Sequence, residues 1–182
     1  MSPALAHAAE ALAAVLNLGY TVGYMLEQSW AYPAAFVGSV LFVWVCHRKR
    51  LLAEAFLWAA YAAFAVWGMV RADQGWEAVV PDAGAHAAGL GAAAMAWGLG
   101  WVALRRWTDA TSVGLDLFTT VGSLLATYWM VLNDPWNWRY WVVVNAAGVL
   151  LYARSGLRWG MGLQILYLLL ACEGMWDFLP WP

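Results

Sequence analysis

Long apolar runs fill most of the chain, and short polar or basic stretches interrupt them at regular intervals. Each run is close to the roughly 20 residues that an α-helix needs to cross a bilayer. The interruptions carry turn residues. In Asn133-Asp134-Pro135, for example, Asn and Asp bond to their own backbone and Pro presets φ. The pattern therefore predicts seven transmembrane helices, at about residues 6–26, 31–47, 51–71, 83–104, 111–132, 138–153 and 157–178.

The composition indicates the same class of protein. Hydrophobic residues make up 64% of the chain and charged residues only 11%, whereas a soluble domain has about 25% charged residues. All predicted connections are short, which leaves no room for a separate soluble domain. We therefore predict an all-α polytopic membrane protein built as one helical bundle. The lack of a basic tract excludes a nucleic-acid-binding protein, and Cys46 and Cys172 are expected only to pack within apolar runs.

The basic residues predict the orientation of the chain in the membrane. With seven helices, the N-terminus shares a side with the loops after the second, fourth and sixth helices. That side carries Arg48, Lys49, Arg50, Arg105, Arg106, Arg154 and Arg158, while the opposite side carries Arg71 and Arg139. Because basic loops stay in the cytoplasm, the N-terminus is predicted to be cytoplasmic and the C-terminus to lie outside.

An internal repeat relates the first three predicted helices to the last three. A shift of 106 residues, without a gap, brings identical residues together at Thr21/Thr127, Trp30/Trp136, Tyr61/Tyr167 and Gly68/Gly174. We predict a 3+1+3 parallel repeat, with three-helix units at 1–72 and 111–178 joined by a linker helix at 83–106. The glycine-rich linker is expected to pack closely, and its small-residue faces leave homo-oligomer formation open.

The strongest candidate for a binding site lies at the start of the sixth predicted helix. Trp138, Trp141 and Asn145 recur at i, i+3 and i+7, so they share one helical face. Two indoles followed one turn later by an amide would enclose a flat ring with a polar edge. Polar side chains on other helices of both repeats are predicted to extend the site: Thr120, Ser123 and Thr127; Gln164 and Tyr167; Asn17, Thr21 and Tyr61.

Each of these residues also has a purely structural interpretation. Ser and Thr in membrane helices commonly bond the carbonyl group four residues earlier. Trp is commonly found at membrane interfaces, where it contacts lipid headgroups rather than a ligand. What favours Trp138 as a ligand contact is its partnership with Trp141 and Asn145 on one face.

The sequence offers little for catalysis. The only lysine, Lys49, lies in a predicted loop, so no buried lysine can form a retinal Schiff base. Neither H-E-x-x-H nor G-x-S-x-G occurs, and His7, His47 and His86 are scattered along the chain rather than spaced as metal ligands. We therefore predict a protein that is not an enzyme and holds no cofactor or metal. The alternative is a membrane-embedded enzyme or sensor that binds a lipid or an isoprenoid.

In these residues the chain resembles the PnuC family of vitamin transporters. The resemblance rests on Trp138-x-x-Trp141 followed by Asn145, then Tyr167 and the closing Gly174-x-Trp176, and it covers about residues 8–178. It implies a SWEET-like fold of opposite orientation in a bacterial inner membrane. It also implies facilitated diffusion of nicotinamide riboside, which a cytoplasmic kinase then traps by phosphorylation. The Trp pair and Asn145 would line the substrate site, with polar residues from the fifth and seventh helices.

The chemistry of nicotinamide riboside suits this site. A pyridinium ring over an indole gains about 0.5–2 kcal/mol of cation–π attraction, and the carboxamide can pair with Asn145 or Gln164. Thiamine, which carries a thiazolium, is the second candidate, and riboflavin, which is neutral and larger, is the third. No Asp or Glu is placed to relay protons along one face, so we predict a uniporter.

Overall fold

The computed structural model describes residues 3–48, 52–73, 78–107, 113–154 and 158–176. Within these ranges the chain forms seven α-helices and no strand. The helices are α1 (Pro3–Met25), α2 (Ala31–Arg48), α3 (Leu52–Asp73), α4 (Ala83–Trp107), α5 (Val113–Val131), α6 (Asn137–Arg154) and α7 (Arg158–Trp176).

The seven helices coincide with the seven predicted spans, which confirms the all-α fold. Their lengths run from 18 residues in α2 to 25 residues in α4. At 1.5 Å per residue, even the shortest is about 27 Å long, close to the thickness of a bilayer core. By length and composition alone, the stretches Ala55–Asp73 and Ala83–Arg106 are long and apolar enough to cross a membrane.

Many of the buried side chains are small, and many large apolar side chains face outward. Among the fully enclosed positions are Ala13, Ala31 and Ala126, whereas Phe56 is 74% exposed and Leu169 is 62% exposed. Water would not tolerate so much outward apolar surface, but lipid does. Helices that associate inside a membrane have no hydrophobic drive and pack through small residues instead. The distribution is therefore that of a membrane protein.

Contacts divide the chain into two units, one holding α1–α3 and the other α4–α7. In the first unit α2 packs against both α1 and α3. In the second unit α6 packs against both α5 and α7, and α4 packs on α5. α2 in the first unit and α6 in the second therefore each contact two neighbouring helices.

The corner that joins α1 to α2 in the first unit has the same geometry as the corner that joins α5 to α6 in the second. The N–H of Gln28 donates to the carbonyl of Gly23 at 2.8 Å, and the N–H of Asp134 donates to that of Trp129 at 3.1 Å. Glu27 and Asn133, one residue earlier, have φ values of 52° and 53°. This pattern is a Schellman motif, in which a residue in the left-handed region ends the helix. The turn predicted at Asn133-Asp134-Pro135 is confirmed.

Two polar contacts of α4 lie within the second unit. At the start of the helix, the N–H of Ala85 donates to Asp82 Oδ1 at 2.7 Å, so Asp82 caps it. Near the middle, Trp97 Nε1 donates to the carbonyl of Gly114 on α5 at 2.9 Å. The first bond defines where α4 begins, and the second connects α4 to α5.

Candidate functional site

The aromatic pair predicted to bind a ligand lies on the first turns of α6, where it meets α7. Trp138 is half-buried, and the fusion bond of its indole lies directly against Gly174 of α7, so that even a Cβ there would contact the ring. One side of this indole is thus already covered by protein. Trp141 is also half-buried, and its Nε1 is enclosed without a hydrogen-bond partner among the described residues.

Farther along the same face, α6 and α7 approach through Gly148 and Gln164. A Cβ on Gly148 would lie 2.9 Å from Cδ and 3.0 Å from Oε1 of Gln164, so the carboxamide rests on the glycine backbone. Gln164 Oε1 is buried and accepts no hydrogen bond from the part of the chain that the structure describes. Asn145, one turn before Gly148, is 5% exposed. The predicted amide positions are therefore inside the unit.

Two of the threonines predicted to contact the ligand donate their hydroxyl hydrogens to backbone carbonyls of their own helices. Thr127 Oγ1 donates to the carbonyl of Ser123 at 2.8 Å, and Thr21 Oγ1 donates to that of Asn17 at 3.3 Å. The two donors, and likewise the two acceptors, are separated by 106 residues, so the two bonds occupy equivalent positions in the repeat. Asn17 Nδ2 likewise donates to the carbonyl of Ala13 at 2.8 Å. Towards a ligand, these hydroxyl groups can offer an acceptor only. Thr120 and Ser123 lie half-buried on the same helix, α5.

The first unit carries the repeat equivalents of the aromatic contact but fills the amide position differently. Tyr32 lies against Gly68 as Trp138 lies against Gly174. At the positions of Gly148 and Gln164, however, this unit has Phe42 and Trp58, whose rings stack at 4.2 Å between centroids. Tyr61, the equivalent of Tyr167, contacts Trp58 edge-on at 5.4 Å. Aromatic packing therefore occupies in the first unit the position that is polar in the second.

The arrangement on α6 and α7 can bind a neutral or cationic flat molecule with an amide edge. Its donor is the indole N–H of Trp141 and its acceptor is the Gln164 carbonyl oxygen. Buried polar atoms are paired in the great majority of native structures, so each of these two atoms calls for a partner from a ligand or from water. The predicted residues Trp138, Asn145 and Tyr167 add ring surface, an amide and a hydroxyl group, and none of the five carries a charge.

A second polar cluster in this unit was missed by the sequence analysis. His86 on α4 has its Nδ1 3.0 Å from the Tyr140 hydroxyl and its Nε2 3.4 Å from Asp134 Oδ2. Its ring lies between aromatic neighbours, with centroids 4.7 Å from Trp129 and 5.7 Å from Trp136. No local pattern links His86 to residues 48 or more positions later, so only the fold reveals this contact. No group of three or more His, Cys, Asp or Glu side chains able to hold a metal occurs among the described residues.

Comparisons with known proteins identify relatives that match most of the chain. The family model described as nicotinamide mononucleotide transporter matches residues 7–181. A crystal structure of the vitamin B3 transporter PnuC is similar in fold, with a TM-score of 0.71 and 19% sequence identity, covering 92% of this chain and 78% of that chain. The comparison with curated protein sequences gave no match.

Proposed function

Because this chain belongs to the nicotinamide mononucleotide transporter family and is a membrane transporter rather than an enzyme, we propose that it carries nicotinamide riboside by facilitated diffusion. The family membership confirms the resemblance drawn from the sequence and removes the enzyme alternative. In this proposal the N-terminus is cytoplasmic, the carrier is a uniporter in the bacterial inner membrane, and a cytoplasmic kinase traps the riboside by phosphorylation.

The observation that carries the substrate proposal is the pair of open polar atoms on α6 and α7. A nicotinamide carboxamide has one carbonyl oxygen to accept a hydrogen bond and one NH₂ group to donate. The Trp141 N–H and the Gln164 oxygen are the complementary donor and acceptor. Asn145, which is buried on the same face of α6, supplies a further amide. An indole face then supplies cation–π attraction for the pyridinium ring.

The neutral character of these residues favours the riboside over the mononucleotide. A phosphate carries nearly two negative charges, and a buried charge must be paired. Trp138, Trp141, Asn145, Gln164 and Tyr167 offer it no cation. The riboside brings only the positive charge of its pyridinium ring, which an indole accommodates. Thiamine shares that feature through its thiazolium but lacks the carboxamide.

Binding can be tested by calorimetric titration of the purified protein with nicotinamide riboside, nicotinamide mononucleotide, thiamine and riboflavin. We expect saturable binding of the riboside first. Trp141→Phe keeps an aromatic ring, although a smaller one, and removes the N–H; a hydrogen bond to a neutral group is worth about 1 kcal/mol, or roughly fivefold in Kd. Trp44→Phe, on α2 of the first unit, is the matched control and leaves the affinity unchanged. Tight binding of the mononucleotide with none of the riboside would contradict the substrate assignment.

Transport can be tested separately in sealed proteoliposomes. Uptake of the riboside should stop at equal concentrations inside and outside, whatever the proton or sodium gradient. Accumulation above that level should appear only when the liposomes enclose a riboside kinase and ATP. If a proton or sodium gradient alone drives accumulation, the uniport mechanism is wrong.

A further inference from the structure

The cluster around His86 lies outside the proposed substrate site and joins the linker helix α4 to the turn that precedes α6. We propose that His86 is a positioning residue that fastens this turn through Asp134, and that a proton on its imidazole ring makes the fastening firm. The contact with the turn does not depend on which substrate is carried. Its consequence for ligand affinity rests on the proposed function.

The hydrogen bonds of the cluster show why protonation of His86 would strengthen its contact with Asp134. Asp134 is 0% exposed. Its Oδ1 accepts from the N–H of Trp136 at 3.0 Å, but Oδ2 and His86 Nε2 both lack a hydrogen-bond partner among the described residues. They lie 3.4 Å apart, which is too long for a well-formed bond. A neutral imidazole leaves the carboxylate buried without a countercharge, and an imidazolium supplies one.

Tyr140 allows the cluster to accept that proton without a clash of donors. Its hydroxyl group lies 3.0 Å from His86 Nδ1. When the ring is neutral and Nε2 carries the hydrogen, the hydroxyl donates to Nδ1. When the ring is protonated, Nδ1 donates and the hydroxyl oxygen accepts. The same geometry therefore serves both states, and the gain on protonation is the charge attraction between His86 and Asp134.

Other ionisable groups near the ring do not replace Asp134 as its partner. Arg139 stacks on Trp136, with its Cζ 3.7 Å from the ring centroid. Asp82 lies one turn earlier on α4 itself and caps that helix through Ala85. From α5 the neighbour is Trp129, an uncharged aromatic ring. Among the residues that the structure describes, Asp134 and Tyr140 are the titratable groups in contact with the imidazole.

The repeat shows that the cluster is an addition to the second unit. Gln28, the equivalent of Asp134, is exposed and donates to the nearby carbonyl of Leu26. Gly23, the equivalent of Trp129, lies directly under the Trp30 ring, with a Cβ position only 2.8 Å from that ring. In the second unit a tryptophan replaces the glycine, and His86 lies close to both Trp129 and Trp136. The buried carboxylate occurs in the unit that contains α4.

The turn fastened by His86 leads straight into the aromatic pair. Asn137, the first residue of α6, donates from both its N–H and its Nδ2 to the Asp134 carbonyl, at 3.0 and 2.6 Å. Trp138 follows directly. Movement of Asp134 therefore shifts the start of the helix face that carries Trp138 and Trp141. A well-ordered turn keeps the two indoles in the position that a ligand needs, which lowers the conformational entropy lost on binding.

Hydrogen–deuterium exchange of the purified full chain in detergent tests the fastening directly. Exchange is followed in peptides spanning 130–138 at about pH 5.5 and about pH 8, the range in which histidine gains its proton, and corrected for intrinsic rates. We expect roughly tenfold greater protection at the lower pH. His86→Gln and Asp134→Asn should abolish the difference, whereas His47→Gln, an exposed histidine on α2, should retain it. Two results would overturn the proposal. One is equal protection of the unmodified chain at both pH values. The other is a pH difference that persists in both His86→Gln and Asp134→Asn.

Riboside affinity at the same two pH values gives the second readout. We expect severalfold tighter binding at the lower pH in the unmodified chain and no pH dependence in His86→Gln. If the exchange difference is present and the affinity does not follow it, His86 does not position the aromatic pair, and that part of the proposal is wrong. If the exchange difference is present and no riboside binds, the proposed function fails while the fastening stands.

Discussion

The contact between Trp138 and Gly174 makes the aromatic site sensitive to a single methyl group on α7. In Gly174→Ala the new Cβ would lie 2.8 Å from Cε3 of the indole and closer still to its fusion bond. Both partners are rigid there, since one is helix backbone and the other a fused ring. The clash can be relieved only if the indole leaves its position or α6 and α7 move apart.

The cost of Gly174→Ala follows from two opposing terms. Forcing a methyl group into a packed contact costs about 1–3 kcal/mol. Replacing glycine by alanine inside a helix recovers about 0.5–1 kcal/mol through lower chain entropy. We expect a net loss of up to about 2.5 kcal/mol in the free energy of unfolding. Displacement of the indole should also remove about 0.5–2 kcal/mol of ring contact, which weakens riboside binding roughly two- to thirtyfold.

Two matched substitutions separate these effects. Gly162→Ala lies on the same helix with no atom within 4 Å of its Cβ position, so it should raise stability by about 0.5–1 kcal/mol and leave the affinity unchanged. Gly68→Ala makes the equivalent clash with Tyr32 in the first unit and should lower stability alone. Thermal unfolding and riboside titration measure both quantities. If Gly174→Ala matches Gly162→Ala in both assays, the indole is not held by α7 and the reasoning is refuted.

Three further predictions concern positions where the local geometry sets the outcome. Gly148→Ala should weaken riboside binding several-fold with little loss of stability, because the added Cβ meets the flexible carboxamide end of Gln164, and unchanged affinity in titration would count against the Gln164 contact. Glu27→Gly should stabilise the protein by about 0.5–1 kcal/mol and so raise its unfolding temperature, because glycine adopts the positive φ of 52° without cost. Asn133→Gly should raise the unfolding temperature less, since asparagine tolerates that region. Equal shifts in the two variants would contradict this reasoning. Trp97→Phe should destabilise the protein by about 1 kcal/mol, because the Gly114 carbonyl loses the indole N–H as a donor. Thermal unfolding measures this loss, and a variant as stable as the unmodified protein would show that the bond contributes nothing.

The helices and their corners could be predicted from the sequence because the signals are local. Runs of apolar residues set the seven helices, and Asn133-Asp134-Pro135 marks a turn whatever surrounds it. The matching bonds of Thr21 and Thr127 also follow from local rules, since a hydroxyl in a membrane helix bonds the carbonyl four residues earlier. The resemblance added the family, which no local rule could supply.

Contacts between distant segments could not be predicted in the same way. His86 reaches Asp134 and Tyr140 because α4 packs on α5, and no periodicity within α4 encodes that placement. The contrast between Phe42/Trp58 and Gly148/Gln164 was visible as residue types, but only packing shows that one pair forms stacked rings and that the other leaves a buried amide oxygen without a hydrogen-bond partner among the described residues. The roles of Asn145, Gln164 and the other site residues stay predictions until a ligand is titrated.

The two Schellman corners also bear on how the chain is made. In each corner every backbone bond closes between residues no more than five positions apart, as in Gln28 to Gly23. The corner therefore needs nothing from later parts of the chain. As soon as α2 leaves the ribosome, α1 and α2 can fold back as a helical hairpin, and α5 with α6 can do the same later. We expect biogenesis to proceed by insertion of ready-made hairpins, with the first three-helix unit established before the tryptophan pair has been synthesised.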